Sequence, residues 1–203
     1  MSGVVLSLED RWLVAARDGV GAAGEVAADV AAAARRGDVD AFVAVMRFYD
    51  PMLRTLAYRL LGTQADMDDA MQEASLRVLK ALPKFKGNSA LGTWLYRITY
   101  RACLDQLRRR STTAELPADY ADTTQQGDPA ELVDSREALR TLLAQLPVEQ
   151  RAAVILVDQQ DLDYRTAASI LGVPTGTVAS RLAAGRAFLR RIYAATDASG
   201  EGR

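Results

Sequence analysis

Residues 162–191 read LDYRTAASILGVPTGTVASRLAAGRAFLRR. Apolar residues recur at three- and four-residue steps up to Leu171, the run Gly172-Val173-Pro174 interrupts them, and the pattern resumes from Thr175. That spacing predicts a short helix from about Tyr164 to Leu171, ended by Gly172 in the left-handed conformation, then a longer helix capped by Thr175. Two helices joined by a tight turn make a helix-turn-helix. Ala168 is small where the helices must cross closely, and Ile170, Leu171, Val173, Val178 and Leu182 are candidates for a shared core. An ordinary antiparallel helix pair in a bundle is the competing reading. DNA binding is favoured because residues 176–193 hold Arg181, Arg186, Arg190 and Arg191 and no acid, as a surface meeting phosphates requires.

Working outward, residues 136–195 form one helical block, divided at Leu146-Pro147, at Gln160-Asp161 and at Gly172–Pro174 into about four helices. Residues 111–135, STTAELPADYADTTQQGDPAELVDS, carry Glu115, Asp119, Asp122, Asp128, Glu131 and Asp134 and no base. With so little to bury, they read as a flexible acidic linker. A first helical block spans 26–110, broken at Gly37-Asp38 and stopped at Gly62. Pro51 is expected to begin or kink a helix, Thr63 to cap the next, and Pro83 to end it. Residues 1–25, with Gly19, Gly21 and Gly24, read as a poorly ordered extension, and 196–203 as a disordered tail. Neither β-alternation nor a fixed-period repeat is found. The predicted fold is all-α: two small helical domains on a flexible tether, the second containing the helix-turn-helix.

The chain has 203 residues, one cysteine and no histidine. A single Cys103 excludes an internal disulfide framework and points to a reducing cytoplasm. The missing histidine removes the commonest general base and metal ligand, so neither an enzyme, a metal nor a cofactor is expected. No apolar run approaches the roughly 20 residues that cross a bilayer, and MSGVVLSLEDRW lacks the basic start of a secretory signal. No membrane insertion is expected. Arginine outnumbers lysine by 22 to 3.

The net charge of −1 conceals segregation. Between 77 and 110, nine bases (Arg77, Lys80, Lys84, Lys86, Arg97, Arg101, Arg108, Arg109, Arg110) face only Asp105. Within that basic segment, 85–110 reads FKGNSALGTWLYRITYRACLDQLRRR. On a helix, Leu95, Ile98 and Ala102 share one face, the expected core side. Arg97, Arg101 and Arg108 form another stripe with Trp94 at its margin, and Tyr96 and Tyr100 make a third row. A surface gripping phosphates while stacking unpaired bases on exposed rings would use both residue types. The competing reading makes the rings core and the arginines a solvated face.

In DMDDAMQEASLRVLKAL, Asp66, Asp69 and Glu73 recur at three- and four-residue steps with Gln72 beside them. They line one edge of a helix whose other side is apolar through Ala70, Met71, Ala74, Val78 and Leu82. Acids near a helix N-terminus already favour the macrodipole. Carboxylates also hold Mg²⁺, but no phosphate-cradling glycine loop accompanies these.

Taken together, ARRGDVDAF (34–42), ADMDDAMQEASLRVLKAL (65–82), FKGNSALGTWLYRI (85–98) and LGVPTGTVASRL (171–182) resemble the bacterial sigma-70 family. The resemblance is to its small extracytoplasmic-function members and spans roughly 28–110 and 136–195. It implies that Asp66, Asp69, Gln72 and Glu73 dock on the basic coiled coil of the RNA polymerase β′ clamp. Lys86, Gly87, Asn88 and Ser89, with Trp94, Tyr96, Arg97, Tyr100 and Arg101, would face the −10 promoter element, where the strands separate and a base is flipped into a pocket. Arg165, Thr175, Thr177, Ser180, Arg181 and Arg186 would serve the −35 element in the major groove, while the second domain packs on the β flap. The linker would thread toward the RNA exit path. An anti-sigma factor, often membrane-linked, is the further partner implied, with the protein otherwise cytoplasmic.

One departure stands out. Ala179, Ala183 and Ala184 occupy positions where relatives often carry bases or a ring, so bidentate guanine reading is lost and thymine methyl contact remains. Three other readings compete: a self-sufficient DNA-binding repressor or activator, a helical adaptor that binds only proteins, and a carboxylate-metal enzyme. The first has no use for the segment 85–110. The last lacks His and a phosphate loop.

Overall fold

The computed structural model describes residues 26–113 and 136–200. The expectations for 1–25, for the linker over 114–135 and for 201–203 lie outside the described residues. Among the described residues there are eight α-helices and no strand.

Helix α1 (Ala28–Arg35) ends where Gly37 takes φ +94°. Asp38 then caps α2 (Val39–Leu61), its carboxylate accepting from the Ala41 amide at 2.9 Å. α2 is continuous through Pro51, so this proline does not begin a helix. It lies on the exposed side of α2, where water can reach the carbonyl that its missing N–H leaves unpaired. Gly62, at φ +84°, ends α2 with its N–H on the Tyr58 carbonyl at 2.8 Å. Thr63 caps α3 (Gln64–Ala81), its hydroxyl accepting from the Asp66 amide at 3.2 Å. A 3₁₀ turn at Leu82–Lys84 holds Pro83. α4 covers Leu91–Thr113 and so takes in the first three residues of the expected linker.

The apolar faces of α2, α3 and α4 close on one another through residues such as Leu53, Leu56, Leu60, Val78 and Leu95, all almost fully buried. Gly92 marks the tightest approach of α4 to α2, because a Cβ there would stand 2.9 Å from the Tyr49 ring.

The second block comprises α5 (Arg136–Ala144), α6 (Val148–Val154), α7 (Tyr164–Leu171) and α8 (Thr175–Gly200). α6 widens into a π-helical turn over Ile155–Gln159, which the sequence pattern did not signal. The break after it falls where expected, at Asp161, with φ +54°. Asp163 caps α7, its carboxylate accepting from the Arg165 and Thr166 amides at 2.8 and 3.0 Å. Gly172 closes α7 at φ +70° with its N–H on the Ala168 carbonyl at 2.8 Å. The expected cap of α8 is corrected. The Pro174 carbonyl accepts from the Val178 amide at 3.2 Å, so Pro174 flanks the helix and Thr175 is its first residue. The α8 backbone continues to Gly200, beyond the expected limit of 195.

Rather than standing apart, the two blocks share one continuous buried cluster. Arg97 of α4 donates to the Ser169 carbonyl of α7 at 3.0 Å, and Arg151 of α6 to the Leu60 carbonyl of α2 at 2.6 Å.

Inside the second block, α8 crosses α6 at Gly185, where a Cβ would lie 2.9 Å from Val154 Cγ2. Val154 is fully buried and β-branched, so it cannot swing aside. Gly185→Ala is expected to destabilise by about 1 kcal/mol, from about 2 of overpacking less about 1 of better helix propensity. In a Val154→Ala background the obstruction is gone and the same substitution should stabilise. Urea unfolding of the four variants of this cycle checks the reversal of sign.

Candidate nucleic-acid interface

Chain geometry places the loop before α4 and its first turns together. Lys86, Gly87 and Asn88 are exposed, Ser89 is half-buried, and Gly87 turns the loop at φ +73°. Trp94 is half-buried, its ring 5.0 Å from that of Phe85 and tilted by 40°. Arg35 of α1 lies over the other ring of this pair, Phe85, at 5.9 Å. One indole is therefore held in place beside a cationic loop, with part of its surface left open.

Further along α4 the faces separate. Leu91, Leu95, Ala102 and Cys103 go into the core, while Ile98, expected there too, is only half-buried. Burial pushes the Cys103 thiol up to about 12, which keeps it neutral and unreactive near pH 7. Arg101 is exposed. Tyr96 and Tyr100, the row expected to face the −10 element, are 6% and 5% exposed. Burial raises both phenol pKa values; for Tyr100 the nearby Arg181 opposes that rise and Glu149 adds to it. Glu149 and Arg181 belong to α6 and α8, so charges of the second block reach this ring. Arg97 is engaged likewise, donating to the Ser169 carbonyl at 3.0 Å and to its hydroxyl at 2.6 Å. A cleft of about 330 Å³ remains along this seam, lined by Arg77, Tyr100, Arg101 and Arg108 from one side and by Leu171 and Gly172 from the other.

The acidic edge of α3 divides into two pairs. Asp66 accepts from Arg110 at 2.9 Å, from the Thr63 hydroxyl at 2.6 Å and from Gln106 at 3.2 Å. Glu73 pairs with Arg77 at 2.8 Å, and Arg77 with Asp105 at 2.8 Å. Asp69 and Gln72 are exposed, and Asp69 accepts a long bond from Gln106 at 3.5 Å. Next to them is an acid that the sequence pattern did not single out. Asp68 accepts from Arg54 at 2.8 Å and from Gln64 at 3.1 Å, and these bonds hold its carboxyl below the ordinary range. Among the described residues, no three His, Cys, Asp or Glu side chains are grouped to hold a metal.

On the helix-turn-helix, Arg165, Thr175 and Ser180 are exposed, and Thr177 and Arg181 half-buried. Ala183 and Ala184 are exposed and Ala179 half-buried, which leaves small apolar groups on the outer side of α8. Arg186 has a structural partner: its guanidinium pairs with Asp158, whose side chain is 2% exposed. Removing Arg186 would strand a buried carboxylate, so its first role is to hold α8 to α6. The signal for this was an acid inside the apolar run AAVILVDQQ (152–160).

A family model for Sigma-70 region 2 matches residues 45–113, and one for Sigma-70 region 4 matches residues 136–189. The ECF RNA polymerase sigma factor SigM of Mycobacterium tuberculosis is 39% identical over 165 residues, covering 81% of this chain and 83% of that protein. SigW of Bacillus subtilis, likewise an ECF RNA polymerase sigma factor, is 31% identical over 170 residues, covering 77% and 91%. In fold, the chain is similar to the sigma factor RpoE, solved in complex with the anti-sigma factor NepR from Bartonella quintana. That likeness has a TM-score of 0.60 at 24% identity, covering 76% of this chain and 98% of that one. With both regions matched in order and most of the chain aligned to SigM, the chain belongs to the sigma-70 family, among its extracytoplasmic-function (ECF) RNA polymerase sigma factors.

Proposed function

We propose a division of labour among three surfaces of this sigma factor, which binds core RNA polymerase, directs it to promoters through their −35 and −10 elements and promotes melting. The loop Lys86–Ser89 and α4 capture the separated −10 strand. The observation that carries this is the held indole: Trp94 packed on Phe85, partly open, beside the exposed Lys86, Gly87 and Asn88. A fixed ring next to a cationic loop suits a base flipped out of the stack, at a few kcal/mol of unstacking offset by stacking and pocket contacts. Arg97 and Arg101 hold phosphates on the same helix, with Tyr96 and Tyr100 between them.

On α3, Asp69 and Gln72 meet the β′ clamp directly. Asp66 and Glu73, tied to Arg110 and Arg77, keep that edge rigid and negative. On α8, Thr175, Thr177, Ser180 and Arg181, with Arg165 from α7, approach the −35 major groove while the domain packs on the β flap. Arg186 supports them through Asp158. No catalytic step of its own belongs to this function.

The site of action is the cytoplasm, with an anti-sigma factor as the holding partner. No described helix is long and apolar enough to cross a membrane, so attachment there would come through that partner.

Transcription in vitro with core polymerase on a promoter library tests the assignment. Trp94→Ala and Arg101→Ala should each lower specific initiation about ten- to a hundredfold, from the roughly 1–3 kcal/mol carried by a stacked base or its phosphate clamp, with polymerase binding intact. Asp69→Ala with Gln72→Ala should instead weaken polymerase binding. Specific initiation nowhere, or initiation indifferent to Trp94 and Arg101, overturns the assignment.

The alanines of α8 yield a second expectation. With Ala179, Ala183 and Ala184 unable to read guanine by paired hydrogen bonds, backbone contacts and DNA shape carry more of −35 recognition. Single substitutions across the −35 element should produce shallow losses. A drop of about 2 kcal/mol or more at one G·C pair contradicts this.

A further inference from the structure

The corner between α1 and α2, Ala34 to Asp38 in the stretch ARRGDVDAF, belongs to none of the three surfaces of this sigma factor. It is nevertheless fixed in space. Ala34 is buried, and Val30 and Ala31 pack against the core. The last turn of α1 is thereby seated on α2 and on the 3₁₀ turn at Leu82–Lys84. Gly37 then turns the chain into α2 at φ +94°, a conformation that a side chain would strain.

What this corner presents is Arg35. Its side chain is exposed, and its guanidinium lies 5.9 Å from the centre of the Phe85 ring. The Phe85 ring lies 5.0 Å from that of Trp94. A cation, a ring and the indole therefore follow one another from α1 to α4, and the exposed Lys86 comes directly after the middle member. Other arginines of this block are committed elsewhere. Arg77 is shared by Glu73 and Asp105, Arg54 by Asp50 and Asp68, Arg110 goes to Asp66 and Arg97 to Ser169. Arg35 pairs with no acid among the described residues. Asp38, three residues on, turns its carboxylate to the Ala41 amide as a helix cap. Contact with a ring face at an exposed site is weak and engages the π-cloud rather than the five guanidinium N–H donors. Phe85 thus orients this group without consuming it.

We infer that Arg35 is a phosphate anchor for the separated strand. Its guanidinium holds the phosphodiester next to the base that stacks on Trp94, and Phe85 is the platform that aims it. The inference rests on reading Trp94 as the stacking ring. A planar donor fork suits two oxygens of one phosphate. The division of roles also fits: a base stacked on a single indole can slide and rotate over it, whereas a phosphate gripped alongside fixes its register. Phosphate contacts position a strand without reading its sequence, so the contribution of Arg35 is independent of sequence and sensitive to salt.

The test uses holoenzyme reconstituted from core polymerase and the full chain. Its ligand is a labelled single-stranded oligonucleotide carrying the −10 non-template sequence of a promoter that the holoenzyme uses. Fluorescence anisotropy follows binding across a salt series, with each linkage replaced in turn by a neutral methylphosphonate. Arg35→Ala should weaken binding about three- to tenfold, between an exposed ion pair and a charged hydrogen bond. It should also reduce the log–log salt slope by about 0.7, the share of one single-strand phosphate. Neutralising one linkage, or two adjacent ones, should weaken wild-type binding by a similar factor and leave the variant no weaker. The remaining linkages should behave alike in both. Arg35→Met keeps an apolar stem over Phe85 without the charge and should match Arg35→Ala, whereas Arg35→Lys should recover part of the loss. Arg36→Ala removes the neighbouring cation of the same corner and should leave the linkage profile unchanged.

Wild-type affinity in Arg35→Ala overturns the inference. So does a loss that Arg35→Met repairs, or one that leaves salt slope and linkage profile as they were, because a residue that only covers Phe85 would behave in that way. A profile altered equally by Arg36→Ala overturns it too, as the mark of diffuse charge. In each of these outcomes the assignment of α4 stands if Trp94→Ala still weakens the same complex. If Trp94→Ala binds as the wild type does, the assignment of α4 fails and the inference falls with it.

Discussion

Helix α4 has to satisfy two incompatible surroundings, and much of the architecture follows from that. One side, Leu91, Leu95, Ala102 and Cys103, is core. The other carries Tyr96 and Tyr100 with Arg97 between them, too apolar to leave in water and too charged to bury. Rings of this size bring a large hydrophobic contribution when covered, while a guanidinium must keep hydrogen-bond partners. The structure meets both demands at once by laying α7 along the row, its Ser169 carbonyl and hydroxyl receiving Arg97. Melted DNA offers the same pair of environments, since bases replace the apolar cover and phosphates replace the carbonyl.

Much of this was legible in the residues. The punctuation was read directly: Gly62 as a stop, Gly172 as a left-handed one, Thr63 as a cap, breaks at Gln160-Asp161 and after Leu171. Each is a local signal, settled by backbone sterics and a side-chain oxygen within three residues. The segregation of charge also survived into three dimensions, with the basic segment on α4 and the arginine run on α8. Three of the four stretches quoted for the family resemblance lie within the matched regions, and ARRGDVDAF (34–42) precedes them.

What escaped was decided between elements. Periodicity shows that Tyr96 and Tyr100 share a row, but not whether solvent, DNA or another helix faces it. Arg186 looked like one more cation of a DNA-reading helix, and only the fold brings it to the buried Asp158. Gly185, which the pattern did not single out, is the place where α8 passes Val154. Pro174, not Thr175, flanks α8, because the Thr177 and Val178 amides of the first turn donate to the proline carbonyl. The arginines that meet the end of α2 could not be foreseen from spacing, since Arg110, Arg140 and Arg151 stand 49 to 91 residues from the carbonyls of Leu61, Gly62 and Leu60 to which they donate.

The central claim is that the ring-and-arginine face of α4 meets the non-template strand once polymerase is engaged. A photoreactive phenylalanine analogue placed at Tyr96 reports on this by direct contact. Irradiated in the holoenzyme on an active promoter, it should crosslink to the non-template strand within the −10 element. Irradiated in the free chain, it should crosslink only within the protein, toward α7. Crosslinks from the holoenzyme confined to protein, or spread evenly over both strands of unmelted duplex, would contradict the account.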